Sequence, residues 1–89
     1  MPEIRVTVGS RIGLHARPAA ILAKAAAGSA VSVRIGRTSA EVVDAASVLA
    51  VLGLGVKSGE EIVLVAEGDG AAAVIHELAA LVASDLDAA

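Results

Sequence analysis

Ile4, Val6 and Val8 alternate with Arg5 and Thr7 near the start of the chain, the period-two pattern of a strand with one buried face. Val31, Val33 and Ile35 alternate in the same way with Ser32 and Arg34, and Gly36 to Ser39 turns the chain into a short third strand over 40–44. That pair predicts a hairpin. Residues 61–66, between the turns Lys57-Ser58-Gly59 and Gly68-Asp69-Gly70, read as a fourth strand. The intervening segments are helical in pattern. Ala16 to Ala27 is rich in alanine and is followed by Gly28 in the C′ position of a helix. Ser47 precedes the apolar run Val48 to Leu54 as the N-cap of a short helix that Gly55 ends. Over 71–84, Val74, Ile75, Leu78, Leu81 and Val82 fall on one stripe. The order is βαββαβα. Each helix has one strongly apolar face and the strands are joined by a hairpin or by helical crossovers, which predicts an α+β fold with the helices on one side of a four-stranded, mainly antiparallel sheet.

Eighty-nine residues allow a single domain over 1–89, and with 56% hydrophobic residues there is enough aliphatic material for one two-layer core. The absence of Phe, Tyr and Trp removes base stacking as a mechanism, so a nucleic-acid partner is not expected. Without cysteine there is neither a disulfide framework nor a thiolate metal site, and no cluster of metal ligands is evident. The opening MPEIRVTV lacks the basic and apolar regions of a signal peptide. The longest uncharged apolar run, 45–56, is 12 residues, short of the roughly 20 that span a bilayer. A cytoplasmic monomer without direct membrane insertion and without a cofactor is expected. Charge is unevenly spread: residues 1–37 carry a net +5 and residues 38–89 a net −8. This asymmetry predicts an acidic docking partner for the N-terminal half, acting by steering more than by affinity. Asp85 and Asp87 are expected to form a frayed acidic tail.

The candidate chemistry lies in GLHARPAA, residues 13–20. Proline is tolerated in the first turn of a helix, where its missing N–H has no acceptor in any case, so Pro18 sets the helix start near Ala16 and makes His15 the N-cap. The backbone N–H groups of Ala16 and Arg17 are then unpaired and form an anion site. A neutral imidazole has a nucleophilic nitrogen lone pair, and Arg17 supplies a planar, permanently charged fork for phosphoryl oxygens. Nucleophile, helix end and arginine together describe a phosphoryl acceptor. The same residues also fit a histidine that only caps a helix beside a solvated arginine. His76, off the apolar stripe of the last helix, reads as a solvated residue.

GLHARPAA together with the downstream AASVLAVLGLGV resembles the HPr family, the histidine-containing phosphocarrier proteins of the phosphoenolpyruvate-dependent sugar phosphotransferase system. The similarity covers essentially the whole chain. It implies an open-faced β-sandwich, with His15 accepting a phosphoryl group from phosphorylated enzyme I on Nδ1, Arg17 assisting, and transfer onward to the IIA component of a sugar permease. A carrier of this kind is not a turnover enzyme. The resemblance also implies that Val48, Leu49 and Leu52 of the second helix face partners while Val51 and Leu54 point inward; helical spacing puts Arg17, Ala20, Ile21 and Lys24 on one stripe of the first helix, and the two sets together are expected to make the docking face. Ser47 matches a serine that a dedicated kinase phosphorylates in many relatives. Several relatives carry further lysines on this face, where the present chain has Ala27 and Ala50, and the hairpin IGRTSAEVV lacks their common Asn-Gly turn without an expected effect on function. Two other readings share the residues: a paralogue in a nitrogen-related or dihydroxyacetone kinase phosphorelay, and a regulatory binding module without phosphotransfer.

Overall fold

A computed structural model of the protein describes residues 2–11 and 13–84; the expected acidic tail at Asp85 and Asp87 lies outside the described residues. The elements follow in the order β1 (Glu3–Thr7), α1 (Ala16–Ala27), β2 (Ser32–Thr38), β3 (Glu41–Asp44), α2 (Val48–Gly53), β4 (Glu61–Glu67) and α3 (Ala71–Ala83). The four strands form one sheet in the order β1-β4-β2-β3, with every neighbouring pair antiparallel. The helices lie on one face of it, α3 against β1 and β4, α1 against β2, and α2 against β3 and α1. This is the expected α+β open-faced sandwich.

The position of β4 explains its unbroken apolar run. Lying between β1 and β2, it buries all of Ile62 to Ala66, so alternation of burial disappears in a strand flanked by a neighbour at each edge. Ile62, Leu64 and Ala66 join Leu22, Ile35, Val51 and Leu78 in the core beneath the helices. Val63 and Val65 stand on the other face, in register with Arg5 and Arg34, whose aliphatic stems suit an apolar border while their heads stay in water. Two of the basic residues of the N-terminal half therefore point away from the helices. The edge strands β1 and β3 are short and charged, which blunts edge-to-edge pairing.

Two helices differ in detail from expectation, one at its C-terminus and one in its buried stripe. Gly28 closes α1 in a right-handed conformation rather than the left-handed one typical of C′ glycine, donating to Lys24 O at 3.1 Å. Ser29 completes the exit: its hydroxyl donates to Ala26 O at 2.7 Å and to Val31 O at 2.8 Å. In α3 the buried stripe is Ala71, Ile75, Leu78, Ala79 and Val82, with Val74 and Leu81 only half-buried at its margin. Small alanines let the helix approach the sheet closely, and they rotate the stripe away from the largest side chains. His76 is exposed, as its position on the helix predicts.

The hairpin contains an irregularity. Gly36 faces Val42 and Thr38 faces Glu41, so Arg37 is the extra residue of a β-bulge. A Cβ on Gly36 would lie 2.1 Å from Glu41 O, so only glycine allows the strands to close at this point.

Candidate functional site

The loop before α1 is held from two directions. Gly13 N–H donates to Ser10 O and Leu14 N–H donates to Val56 O, both at 3.0 Å. Gly13 has φ of +90°, and a Cβ there would stand 2.5 Å from Val56 O and 2.7 Å from Lys57 Cα. Glycine is thus required both for the backbone conformation and for the close approach of the 56–57 segment. Leu14 is buried in the core at 4% exposure. With its two preceding residues fixed, His15 becomes the N-cap of α1 in an extended conformation, φ −85° and ψ −169°, half-buried, and its side chain makes no capping hydrogen bond to the helix.

The first intrahelical bond that uses the cap runs from Ala19 N–H to His15 O at 2.9 Å. Ala16 and Arg17 precede it, and Pro18 has no N–H, so the positive end of the helix dipole presents the two amides anticipated from the sequence. Pro18 is buried, whereas Ala16 and Arg17 are exposed. The Arg17 side chain makes no hydrogen bond or ion pair to another described residue, which leaves its guanidinium available for an anion. Among the described residues no group of three His, Cys, Asp or Glu side chains is gathered as a metal ion would require.

Around this end of α1 the outer stripe is Arg17, Ala20 and Lys24, exposed, with Ile21 half-buried; Ala19, Leu22, Ala23 and Ala26 face the core. In the adjoining α2, Val51 is fully buried while Leu49 is 83% exposed, and Val48, Leu52 and Leu54 are half-buried. Leu54 is thus less deeply inward than its pairing with Val51 in the sequence reading implied, because it is the C-cap residue and the chain is already leaving the helix. Ser47 caps α2: its Oγ accepts from Ala50 N–H at 3.2 Å, and its own N–H donates to Asp44 O at 3.1 Å. The result is a helix N-terminus capped by His15, a partly exposed apolar helix packed against α1, and exposed Arg17 and Lys24 on the outer stripe of α1.

Sequence reasoning did not anticipate Arg37 or the segment it holds. From the bulge, Arg37 donates through Nε to Leu54 O (3.1 Å), through Nη2 to Gly55 O (2.8 Å) and through Nη1 to Glu60 Oε2 (2.9 Å). Glu60 Oε1 in turn accepts the Lys57 N–H at 2.7 Å. The Arg37 hydrogen bond, followed by that from Lys57, holds the Glu60 carboxyl below its ordinary range, and the same ion pair raises Arg37. No local motif signals contacts between residues 17 to 23 positions apart.

The comparisons with known proteins agree along the whole chain. The family model for the phosphotransferase-system HPr component phosphorylation site matches residues 2–84. The phosphocarrier protein HPr of Streptomyces coelicolor is 52% identical over 87 residues, covering 98% of this chain and 94% of that protein. The HPr of Haloferax volcanii is 47% identical over 77 residues, covering 85% and 86% respectively. The crystal structure of HPr from Bacillus anthracis superposes with a TM-score of 0.83 at 31% identity, covering 91% of this chain and 95% of that one. With this match added to the strand order and the histidine-capped helix, the chain belongs to the HPr family and is a phosphocarrier of the phosphotransferase system.

Proposed function

We propose that His15 is the phosphoryl acceptor of this carrier and that Nδ1 is the reacting atom. The observation that carries the reading is the placement of His15 at the N-terminus of α1, ahead of the Ala16 and Arg17 amides and beside an exposed guanidinium. The nitrogen lone pair attacks phosphorus as the donor's bond to phosphorus breaks, and the departing electron pair remains with the donor. The resulting phosphoramidate places its negative oxygens at the helix N-terminus, where the two amides and Arg17 meet them. A surface helix end contributes only about 0.3–1 kcal/mol per charge. That is suited to a carrier, whose phosphoryl group must survive diffusion and still leave. In the onward step an acceptor attacks the same phosphorus, the N–P bond breaks, and its electron pair returns to Nδ1.

Enzyme I is the proposed donor and IIA components of sugar permeases the proposed acceptors, acting in the cytoplasm through one shared docking face. Arg17, Ala20, Ile21 and Lys24 of α1 and Val48, Leu49 and Leu52 of α2 compose that face, and the 83% exposure of Leu49 supports it, since a leucine so open to water is best explained by a partner. The chain is therefore a protein-to-protein relay rather than a turnover enzyme. Ser47 is proposed as a second, regulatory phosphorylation site for a serine kinase: it stands at the edge of the apolar patch, where about two added negative charges oppose an acidic partner.

Incubation with enzyme I and phosphoenolpyruvate labelled in its phosphoryl group tests the acceptor assignment. Wild type takes up acid-labile label and His15→Ala takes up none. Label that persists in His15→Ala overturns the assignment.

A further inference from the structure

Bulges recur beside functional sites because an inserted residue changes where a side chain is aimed. Here the inserted residue is Arg37, and it reaches the helix side of the sheet at the end of α2. Two of its three acceptors, Leu54 O and Gly55 O, immediately follow the helix, where carbonyls otherwise lack partners. The third is Glu60, whose other oxygen fixes the Lys57 amide. Residues 54–60 are thus gripped at both ends by one guanidinium and its carboxylate. Val56 lies between these points, and its carbonyl accepts the Leu14 N–H at 3.0 Å. Gly13 packs on Val56 and Lys57, and His15 follows Leu14. Arg37 to Gly55, then Val56 to Leu14, are two hydrogen bonds that link the bulge to the capping histidine.

We propose that Arg37 is a positioning residue for phosphoryl transfer, fixing the 54–57 segment so that the His15 loop and the exposed face of α2 meet a partner in one set arrangement. The inference rests on the reading of His15 as acceptor. Arg37 touches neither the phosphoryl group nor the docking stripe of α1; it acts through Leu54, Gly55 and Val56. Its ion pair with Glu60 is exposed, 45% and 39% for the two side chains, and exposed pairs add little to stability. The contribution lies in pre-organising the surface that binds. A lysine gathers its donors on one nitrogen and lacks the planar fork by which Nε, Nη1 and Nη2 reach three separate acceptors.

Acceptance of phosphate from phosphorylated enzyme I is measured for wild type, Arg37→Met and Arg37→Lys at a temperature where circular dichroism finds all three folded. Arg37→Met keeps the apolar stem and loses the fork; its KM rises roughly three- to tenfold with kcat little changed, and Arg37→Lys recovers only part of the loss. Hydrogen exchange at the Leu14 amide accelerates in Arg37→Met while the β2–β4 ladder stays protected. Wild-type KM in Arg37→Met, whatever happens to its melting temperature, overturns the proposal, as does full recovery by Arg37→Lys, which would reduce the role to charge. Failure of the acceptor reading is distinguishable, because it appears as label retained in His15→Ala with Arg37 intact.

Discussion

Ser47 has a capping role and a proposed regulatory role, which substitutions separate. Its hydroxyl accepts from Ala50 N–H and so caps α2, while its position borders the apolar patch. Ser47→Ala is expected to lose about 0.5–2 kcal/mol of stability in a denaturant titration and to keep its rate of phosphoryl acceptance. Ser47→Asp retains a good cap, so its stability stays near that of wild type, yet acceptance from enzyme I slows through like-charge repulsion. Equal kinetics for Ser47→Asp and wild type would confine the residue to capping. At this scale the sequence was legible wherever the cause is local. Pro18 and the alanines after it place the helix start at Ala16, and that makes His15 its cap; Ser47 before an apolar run announces the second cap. Gly13 was visible only as part of the motif, since its necessity depends on Val56 and Lys57 approaching from another part of the chain. Arg37 was not visible as part of the site for the same reason.

The six-residue helix α2 divides its side chains between the core and the surface proposed for docking. Val51 has no exposure and Leu49 has 83%, two positions apart and hence on opposed sides of the helix. Val51→Ala is predicted to cost about 1–3 kcal/mol by lost burial and cavity formation. Leu49→Ser is predicted to change stability by no more than about 0.5 kcal/mol and to raise the KM for phosphorylated enzyme I. Stability and transfer kinetics measured on both variants check the division; a Leu49→Ser protein with wild-type KM would remove Leu49 from the docking face. Element order and type follow from hydrophobic period, and all seven elements appear where the pattern predicts them. The stripe of α3 shifted because alanines, weak in any hydrophobic pattern, are what allow close packing against the sheet. The burial of β4 on both faces follows from strand order, which periodicity does not encode.

Across the whole molecule, the division of charge between the two halves of the sequence does not become a division between two faces. Arg5 and Arg34 lie in register with Val63 and Val65, respectively, on the side of the sheet away from the helices, and Arg37 is neutralised by Glu60. Of the other three basic residues in this half, Arg11 is exposed in the loop before α1, and Arg17 and Lys24 lie on the proposed docking stripe. Steering onto that stripe is expected to depend on Arg17 and Lys24: kcat/KM for acceptance falls with added salt as the Debye length shrinks from about 10 Å at 0.1 M toward about 3 Å at 1 M. Arg17→Ala and Lys24→Ala flatten that dependence and Arg34→Ala leaves it as in wild type. A flattened slope in Arg34→Ala alone would locate docking on the open face of the sheet instead. The central claim remains the transient phosphohistidine at the head of α1. Phosphorus-to-nitrogen coupling in an NMR spectrum of the ¹⁵N-labelled protein, phosphorylated by enzyme I, tests it most directly. The predicted result is coupling to Nδ1 of His15; coupling to His76, or a phosphorylated protein with both imidazoles unmodified, would contradict it.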